Sequence, residues 1–222
     1  MYRICELALE SDGVFLDIGS AYGYHALRAA ALCKEVVSFE PQRILWGCQR
    51  SSMRANGISN VRVLNKAVGE VDGFVRLDAI DYGGVSNLCN LSVGEGGASV
   101  PCTRIDSLDL SRVDLIKIDV QGYEERVLLG ALNTLSTCRP VLAVEFESVH
   151  LVKFGSDSGK LASLIREAGY TLFLIDASYP SDVLCVPNEK IGLWMPKLCV
   201  GDAGDNEINF PLAAGIVQCV SF

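Results

Sequence analysis

Val14-Phe-Leu-Asp-Ile-Gly-Ser-Ala-Tyr-Gly-Tyr24 decides the fold, and Phe39-Glu-Pro41 is its counterpart. The apolar run Val14–Gly19 is too short for a helix and reads as a strand buried on both faces. Gly19 and Gly23 let the backbone turn tightly and approach a ligand. The Ala- and Leu-rich stretch Tyr24–Cys33 reads as a helix, and its start at Tyr22 or Gly23 aims free N–H groups at an anion. A second strand, Glu35–Phe39, runs into the acid Glu40, 21 residues after Gly19. A strand, a glycine turn opening a helix and a second strand ending in an acid are how an α/β domain holds an adenosine-bearing ligand.

Glu40 is placed to take both ribose hydroxyls, a feature that also fits NAD. The dinucleotide fingerprint, however, wants three glycines in GxGxxG, and here the run is Gly-Ser-Ala-Tyr-Gly. Asp17, two residues before the first glycine, points instead to S-adenosylmethionine, whose ammonium it would accept directly or through water. The methionine carboxylate would then meet the helix start. A purely structural turn is the bland alternative.

With 222 residues, half of them hydrophobic and 21% charged, the chain suits one α/β domain with a full core. The formal charge of −8 argues against a broad basic footprint for nucleic acid. Nine scattered cysteines, never in a CxxC pair, with no signal peptide or long apolar span, suggest reduced core thiols in a cytoplasmic setting. Neither His25 nor His150 lies in a ligand cluster, so no metal is expected.

Along the chain, a short helix occupies the first 13 residues. After the opening β-turn-α unit come a helix over Gln42–Asn56 ended by Gly57, a third strand over Val61–Val68, and an alternating stretch Phe74–Ile80 before a glycine-rich loop, Gly83–Gly97. Leu115–Val120 is a fourth strand, followed by a helix from Tyr123 to about Leu135. Val141–Glu147 is a fifth, followed by a helix over Lys160–Gly169. Tyr170–Ala177 and Val183–Val186, with Tyr179-Pro-Ser-Asp182 between them, read as an antiparallel pair. The alternation predicts a Rossmann-like, mostly parallel seven-stranded sheet with an antiparallel last strand and helices on both faces, the architecture of class I methyltransferases. Residues 14–189 would form that domain, and residues 190–222 a C-terminal extension without an assigned role.

In Leu115-Ile-Lys-Ile-Asp-Val-Gln-Gly-Tyr-Glu-Glu125, Lys117 and Asp119 share one strand face at the sheet edge where ligands bind. Lys117 inside an apolar strand needs a carboxylate neighbour, with Asp119, Glu145 or Asp17 as candidates. The group is either a structural ion pair or part of the site. Glu145 and Glu147 put charge on a core strand, which suggests an active-site rim; His150 follows in a loop. For His25, packing or surface exposure is preferred over catalysis.

Together these segments resemble the FkbM-type methyltransferase family. The matching pieces are Phe15–Tyr24, Phe39-Glu-Pro41, Asn65-Lys-Ala-Val-Gly69, Thr103-Arg-Ile-Asp-Ser-Leu108, Ile116-Lys-Ile-Asp-Val-Gln-Gly-Tyr-Glu124, Val144-Glu145 and Val183-Leu-Cys-Val-Pro187. The resemblance implies S-adenosylmethionine-dependent methylation, usually of a hydroxyl, on sugars, polyketides or other natural products. It makes Asp17, Gly19, Gly23 and Glu40 cofactor contacts, and the same pieces add Ser20, Tyr22, Pro41 and Ala67. Ser86-Asn87 resembles the family's serine-bearing loop near the adenine. Gln121 stands where the family segment usually has a glutamate. Many relatives carry a longer segment before the first strand; here 13 residues precede it, so the chain is either one domain of a longer polypeptide or covers its site with residues 191–222.

The expected activity is O-methylation of a sugar hydroxyl in a glycan or glycoconjugate, with Asp119 as the base, Glu145 and His150 in reserve, and Lys117 beside them. RNA ribose 2′-O-methylation is the alternative, but the lysine expected before its glycine loop is missing and Arg3 is the only base there. A non-catalytic cofactor-binding module is a further alternative, against which the retention of Asp17, Glu40 and Asp119 argues. An NAD-dependent reductase lacks its glycine pattern and a Tyr-x-x-x-Lys pair near the site.

Overall fold

The computed structural model describes residues 1–80, 89, 91–176 and 179–199. The elements run α1 (Tyr2–Ala8), β1 (Val14–Ile18), α2 (Tyr24–Ala29), β2 (Glu35–Phe39), α3 (Arg43–Ala55), β3 (Val61–Leu64), β4 (Ala67–Val68), β5 (Gly73–Asp78) and β6 (Gly96–Thr103). They continue as β7 (Leu115–Ile118), α4 (Glu124–Leu129), α5 (Leu132–Thr137), β8 (Val141–Glu145), α6 (Ser148–Leu151), α7 (Ser158–Glu167), β9 (Tyr170–Asp176), β10 (Tyr179–Pro187) and α8 (Ile191–Cys199).

Seven strands form one sheet in the order β3-β2-β1-β7-β8-β10-β9. All neighbours are parallel except around β10, which runs antiparallel to both β8 and β9. Every residue of β1 and β7 is buried, as a two-faced central strand requires. On one face Leu16 and Ile18 pack with Val127, Leu128, Leu161 and Ile165 of the α4 and α7 layer. On the other Phe15 packs with Ile4 and Cys5 of α1, Ala26 and Ala29 of α2, and Trp194 and Leu198 of α8. The chain moves outward from β1 to β2 and β3, then returns to β7 on the other side of β1. That reversal opens a crevice at the carboxyl ends of β1 and β7, the place where such sheets bind ligands.

Four local expectations need correction. The stretch Val61–Val68 is not one strand: Asn65 donates its side-chain amide to the carbonyls of Glu40 and Pro41, 2.9 Å each, and turns the chain after Leu64. Ala67–Val68 then pairs with β6 in a second, three-stranded sheet ordered β4-β6-β5. The glycine-rich loop ends two residues earlier than expected, because Gly96–Thr103 is a full strand paired antiparallel to β5. Its glycines and Pro101 are poor strand formers, and tertiary pairing overrides them. The helix expected through Leu135 breaks at Gly130, which packs so tightly that a Cβ there would lie 2.0 Å from the Gly69 carbonyl oxygen. In addition Tyr179–Asp182, read as a turn, lies within β10, with a register shift before Val183.

Trp194 is 4% exposed and seals the α1–α2 face, so the first part of the stretch beyond residue 190 belongs to the core. Trp194→Ala should therefore cost about 3–5 kcal/mol in urea unfolding. A loss below about 0.5 kcal/mol, the size of a surface substitution, would show that α8 contributes nothing to the core.

Candidate active site

The glycine loop is locked by contacts only small residues permit. Gly19 has φ +74°, and a Cβ on it would lie 1.8 Å from the carbonyl oxygen of Asp119. The loop can thus cross directly beside the end of β7. The amides of Gly19 and Ser20 both donate to the Phe39 carbonyl at 3.1 Å, joining the loop to the end of β2. The Ser20 hydroxyl lies 3.2 Å from that carbonyl and 3.3 Å from Gln49 Oε1, while Gln49 Nε2 donates to Ser38 Oγ at 2.7 Å. Gly23, at φ +79°, leaves room for that buried glutamine: a Cβ would sit 2.3 Å from Gln49 Nε2.

Glu40 follows β2 and is buried. Its two oxygens accept from the amides of Ala21 at 2.9 Å and Gln42 at 2.7 Å. Burial pushes its pKa up to about 7, against the pull of those two amides and of Lys117.

Lys117 projects from β7 into a cluster of acceptors. Its Nζ donates to the Gly19 carbonyl at 2.7 Å and pairs with Asp119 Oδ2 at 3.1 Å and Asp17 Oδ1 at 3.8 Å. Asp17 is wholly buried, and neither of its oxygens has a hydrogen-bond partner. Burial raises its pKa, with Lys117 opposing and Asp119 adding to the rise. Asp119 is half-buried and its pKa is lowered: burial works against ionisation, but the Lys117 ammonium and the Gln121 amide outweigh it. Gln121 Nε2 donates to Asp119 Oδ1 at 3.0 Å and to Glu145 Oε2 at 3.2 Å. Glu145 is pushed up to about 8 by burial first and by the Asp119 carboxylate next. One acid is thus set to be ionised and its neighbour protonated, the arrangement that divides base and acid roles at neutral pH.

Two cavities meet at Asp119. The larger, about 230 Å³, has Gly19, Glu40, Pro41 and Ala67 in its walls. Ile18, Phe39 and Leu45 close it on one side and Leu77, Leu91 and Val93 of the small-sheet region on the other. An adenosyl group fits this lining: acceptor oxygens of Glu40 for the ribose, and apolar walls for the base. The smaller cavity, about 80 Å³, is walled by His25, Lys117, Asp119, Glu145 and Asp182.

The remaining expected residues lie elsewhere. Asp17, Ser20 and Gly23 support the loop from behind, Tyr22 is 56% exposed, and none of these walls either cavity. His150 also stands apart, with a buried Nδ1 that has no partner. Ser86 lies outside the described residues. Conversely His25, set aside on sequence grounds, walls the acid-lined cavity, where burial and then Lys117 lower its pKa to about 4. Gln121 was visible only as a departure in its segment, and no pattern pointed to Asp182 or to the wall of Leu77, Leu91 and Val93. Glu124 fastens the loop after β7, its Oε1 accepting from the amides of Val120 and Gly122 at 3.0 and 3.1 Å.

A carboxyl whose folded pKa lies near 8 against an ordinary 4.5 weakens folding progressively as the pH rises between those values. Glu145→Gln should therefore match the parent in melting temperature near pH 4.5 and exceed it at pH 8. Equal melting temperatures at pH 8 would show that Glu145 is not held protonated.

The Methyltransferase FkbM domain matches residues 17–172. No curated protein matches the chain. The fold is shared with methyltransferase FkbM from Methylobacillus flagellatus KT, at TM-score 0.56 and 19% identity over 78% of this chain, which spans only 43% of that protein. It is shared with an rRNA methylase from Streptococcus thermophilus, at TM-score 0.51 and 13% identity over 83% of this chain and 91% of the other. SMU.1697c from Streptococcus mutans, solved in complex with SAH, superposes at TM-score 0.53 and 10% identity over 83% of this chain and 93% of its own. Among the described residues no helix is long and apolar enough to cross a membrane, and no group of three His, Cys, Asp or Glu could hold a metal ion. With the domain matched over residues 17–172 of 222, the fold shared and the crevice lined to suit an adenosyl group, the chain belongs to the FkbM family of S-adenosylmethionine-dependent methyltransferases.

Proposed function

We propose that this methyltransferase acts on oxygen, methylating a sugar hydroxyl of a glycan or glycoconjugate. The observation that carries this reading is the position of Asp119, common to the adenosyl-sized cavity and to the acid-lined cavity beside it. A hydroxyl keeps its proton at neutral pH and must lose it during attack, so a base where donor and acceptor meet suits an alcohol. Asp119 is ionised there because Lys117 and Gln121 offset its burial. Carboxyl groups of Asp119, Glu145 and Asp182 suit the hydroxyls of a neutral sugar. The same groups, with a chain charge of −8, would repel a phosphodiester backbone, which counts against an RNA ribose acceptor.

Bound S-adenosylmethionine supplies a methyl group on a sulfonium centre with a neutral thioether as its leaving group. Glu40 would hold the ribose, and the Gly19 crossing would let the loop lie against the cofactor without a side chain intervening. Asp119, in the walls of both cavities, would take the proton of an acceptor hydroxyl placed there, freeing that oxygen for the methyl group, while the electron pair of the carbon–sulfur bond would remain with the thioether. Alignment of this kind is worth up to about 7–11 kcal/mol, and a positioned base adds roughly 10²–10⁴-fold.

Because the Glu40 carboxylate must be ionised to accept from both ribose hydroxyls, S-adenosylmethionine affinity by calorimetry should be about tenfold weaker at pH 6 than at pH 8. The difference should vanish in Glu40→Gln, and a flat profile in the parent would refute the ribose assignment. With methyl glycosides or oligosaccharides as acceptors, mass spectrometry should detect the gain of one methylene. Asp119→Asn should cut the rate by at least about 10²-fold while cofactor affinity falls only moderately. Undiminished transfer by that variant would remove Asp119 as the base.

A further inference from the structure

We propose that Gln121 is a positioning residue whose single carboxamide ties Asp119 to Glu145, so that the two carboxyl groups act as one acid–base unit beside the acceptor. Its Nε2 lies 3.0 Å from Asp119 Oδ1 and 3.2 Å from Glu145 Oε2. An amide nitrogen carries two donors, and a carboxyl group accepts whether ionised or protonated, so Nε2 can give one N–H to each acid.

The backbone holds this side chain in place at a cost. Gln121 has φ +56°, a conformation uncommon for residues other than glycine. Three contacts impose it. Glu124 Oε1 accepts from the amides on either side, those of Val120 and Gly122. Ser92 Oγ donates to the Gln121 carbonyl at 3.0 Å. Gly122 packs against α6 so closely that a Cβ would lie 2.2 Å from the His150 carbonyl oxygen. Strain of this kind persists only where surrounding structure over-determines it, and it gathers at functional sites.

The charges around the pair explain what the amide accomplishes. Lys117 of β7 stands 3.1 Å from Asp119, with Asp17 of β1 behind it. His25 of α2 and Asp182 of β10 share the cavity wall, and Glu124 of α4 adds a further negative charge toward Glu145. The cation sits on the Asp119 side, so the proton held by the pair resides on Glu145 and the ionised oxygen on Asp119. A neutral donor can bridge both without adding charge. A glutamate at this position would bring a third acid with no hydrogen for either neighbour.

This deepens the O-methyltransferase reading by naming what keeps its base ionised, but its test needs no cofactor or acceptor, so failure of that reading leaves the outcome intact. Carboxyl carbons of Asp and Glu labelled with ¹³C would be titrated by NMR in the free protein. The parent pair should take up one proton near or above neutral pH and the second below the usual carboxylate range. In Gln121→Leu, similar in size but without donors, the lower step should rise by about one pH unit, because a hydrogen bond to the charged form has been lost. In the isosteric Gln121→Glu the upper step should rise, and this variant decides the matter if Gln121→Leu does not fold. Steps that stay where they are in the folded variants, with only the melting temperature reduced, would overturn the proposal and leave Gln121 a loop residue.

Discussion

The site depends on one buried ammonium. Placing Lys117 in the middle strand of an apolar sheet costs several kcal/mol unless its protons are all engaged. Here the Gly19 carbonyl, Asp119 and Asp17 surround it. The first contact fastens the glycine loop to β7 and so sets the width of the crevice between β1 and β7. The second fixes the acid at the mouth of that crevice. The third, Asp17, is wholly buried, and Lys117 is the only cation paired with it among the described residues. Removing Lys117 would leave Asp17 uncompensated in the core, so loop, strand and acid stand or fall together.

The proposed function rests on where that arrangement puts Asp119. The adenosyl-sized cavity lies on the β2 side of the crevice and the acid-lined cavity on the β8 side, with Asp119 in both walls. On that proposal, proximity and proton removal fall on one spot, which is most of what transfer of an already electrophilic methyl group requires. Glu40 and Glu145, on opposite sides of it, both have their pKa raised by burial, to about 7 and about 8. The site is tuned around neutral pH at each end.

Much of this was legible in the sequence because it rests on local rules. The short apolar run ending Asp17-Ile-Gly19 could only be a strand and turn, and the acid after the next strand belongs at a ligand crevice, where Glu40 lines the larger cavity. Lys117 announced a buried pairing because an apolar strand cannot hold an unpaired cation, and its carboxylates are two of the three candidates named. What escaped was decided by tertiary contacts. Asn65 breaks a continuous β-pattern by bonding two carbonyls distant in sequence, and Gly96–Thr103 becomes a strand only because β5 and β4 flank it. His25 reaches the acid-lined cavity because α2 packs over the Lys117 end of the sheet, a placement no periodicity encodes. Gln121 bridges two acids that are 26 residues apart in the chain (145 − 119), which spacing alone does not reveal.

The most direct test is a crystal structure with S-adenosylhomocysteine and a methyl glycoside bound. The account predicts the ribose hydroxyls on Glu40, the thioether sulfur facing Asp119, and a sugar oxygen in the acid-lined cavity within hydrogen-bonding distance of that carboxylate. An adenosyl group lodged outside the cavity beside Glu40, or a sugar oxygen remote from Asp119, would contradict it.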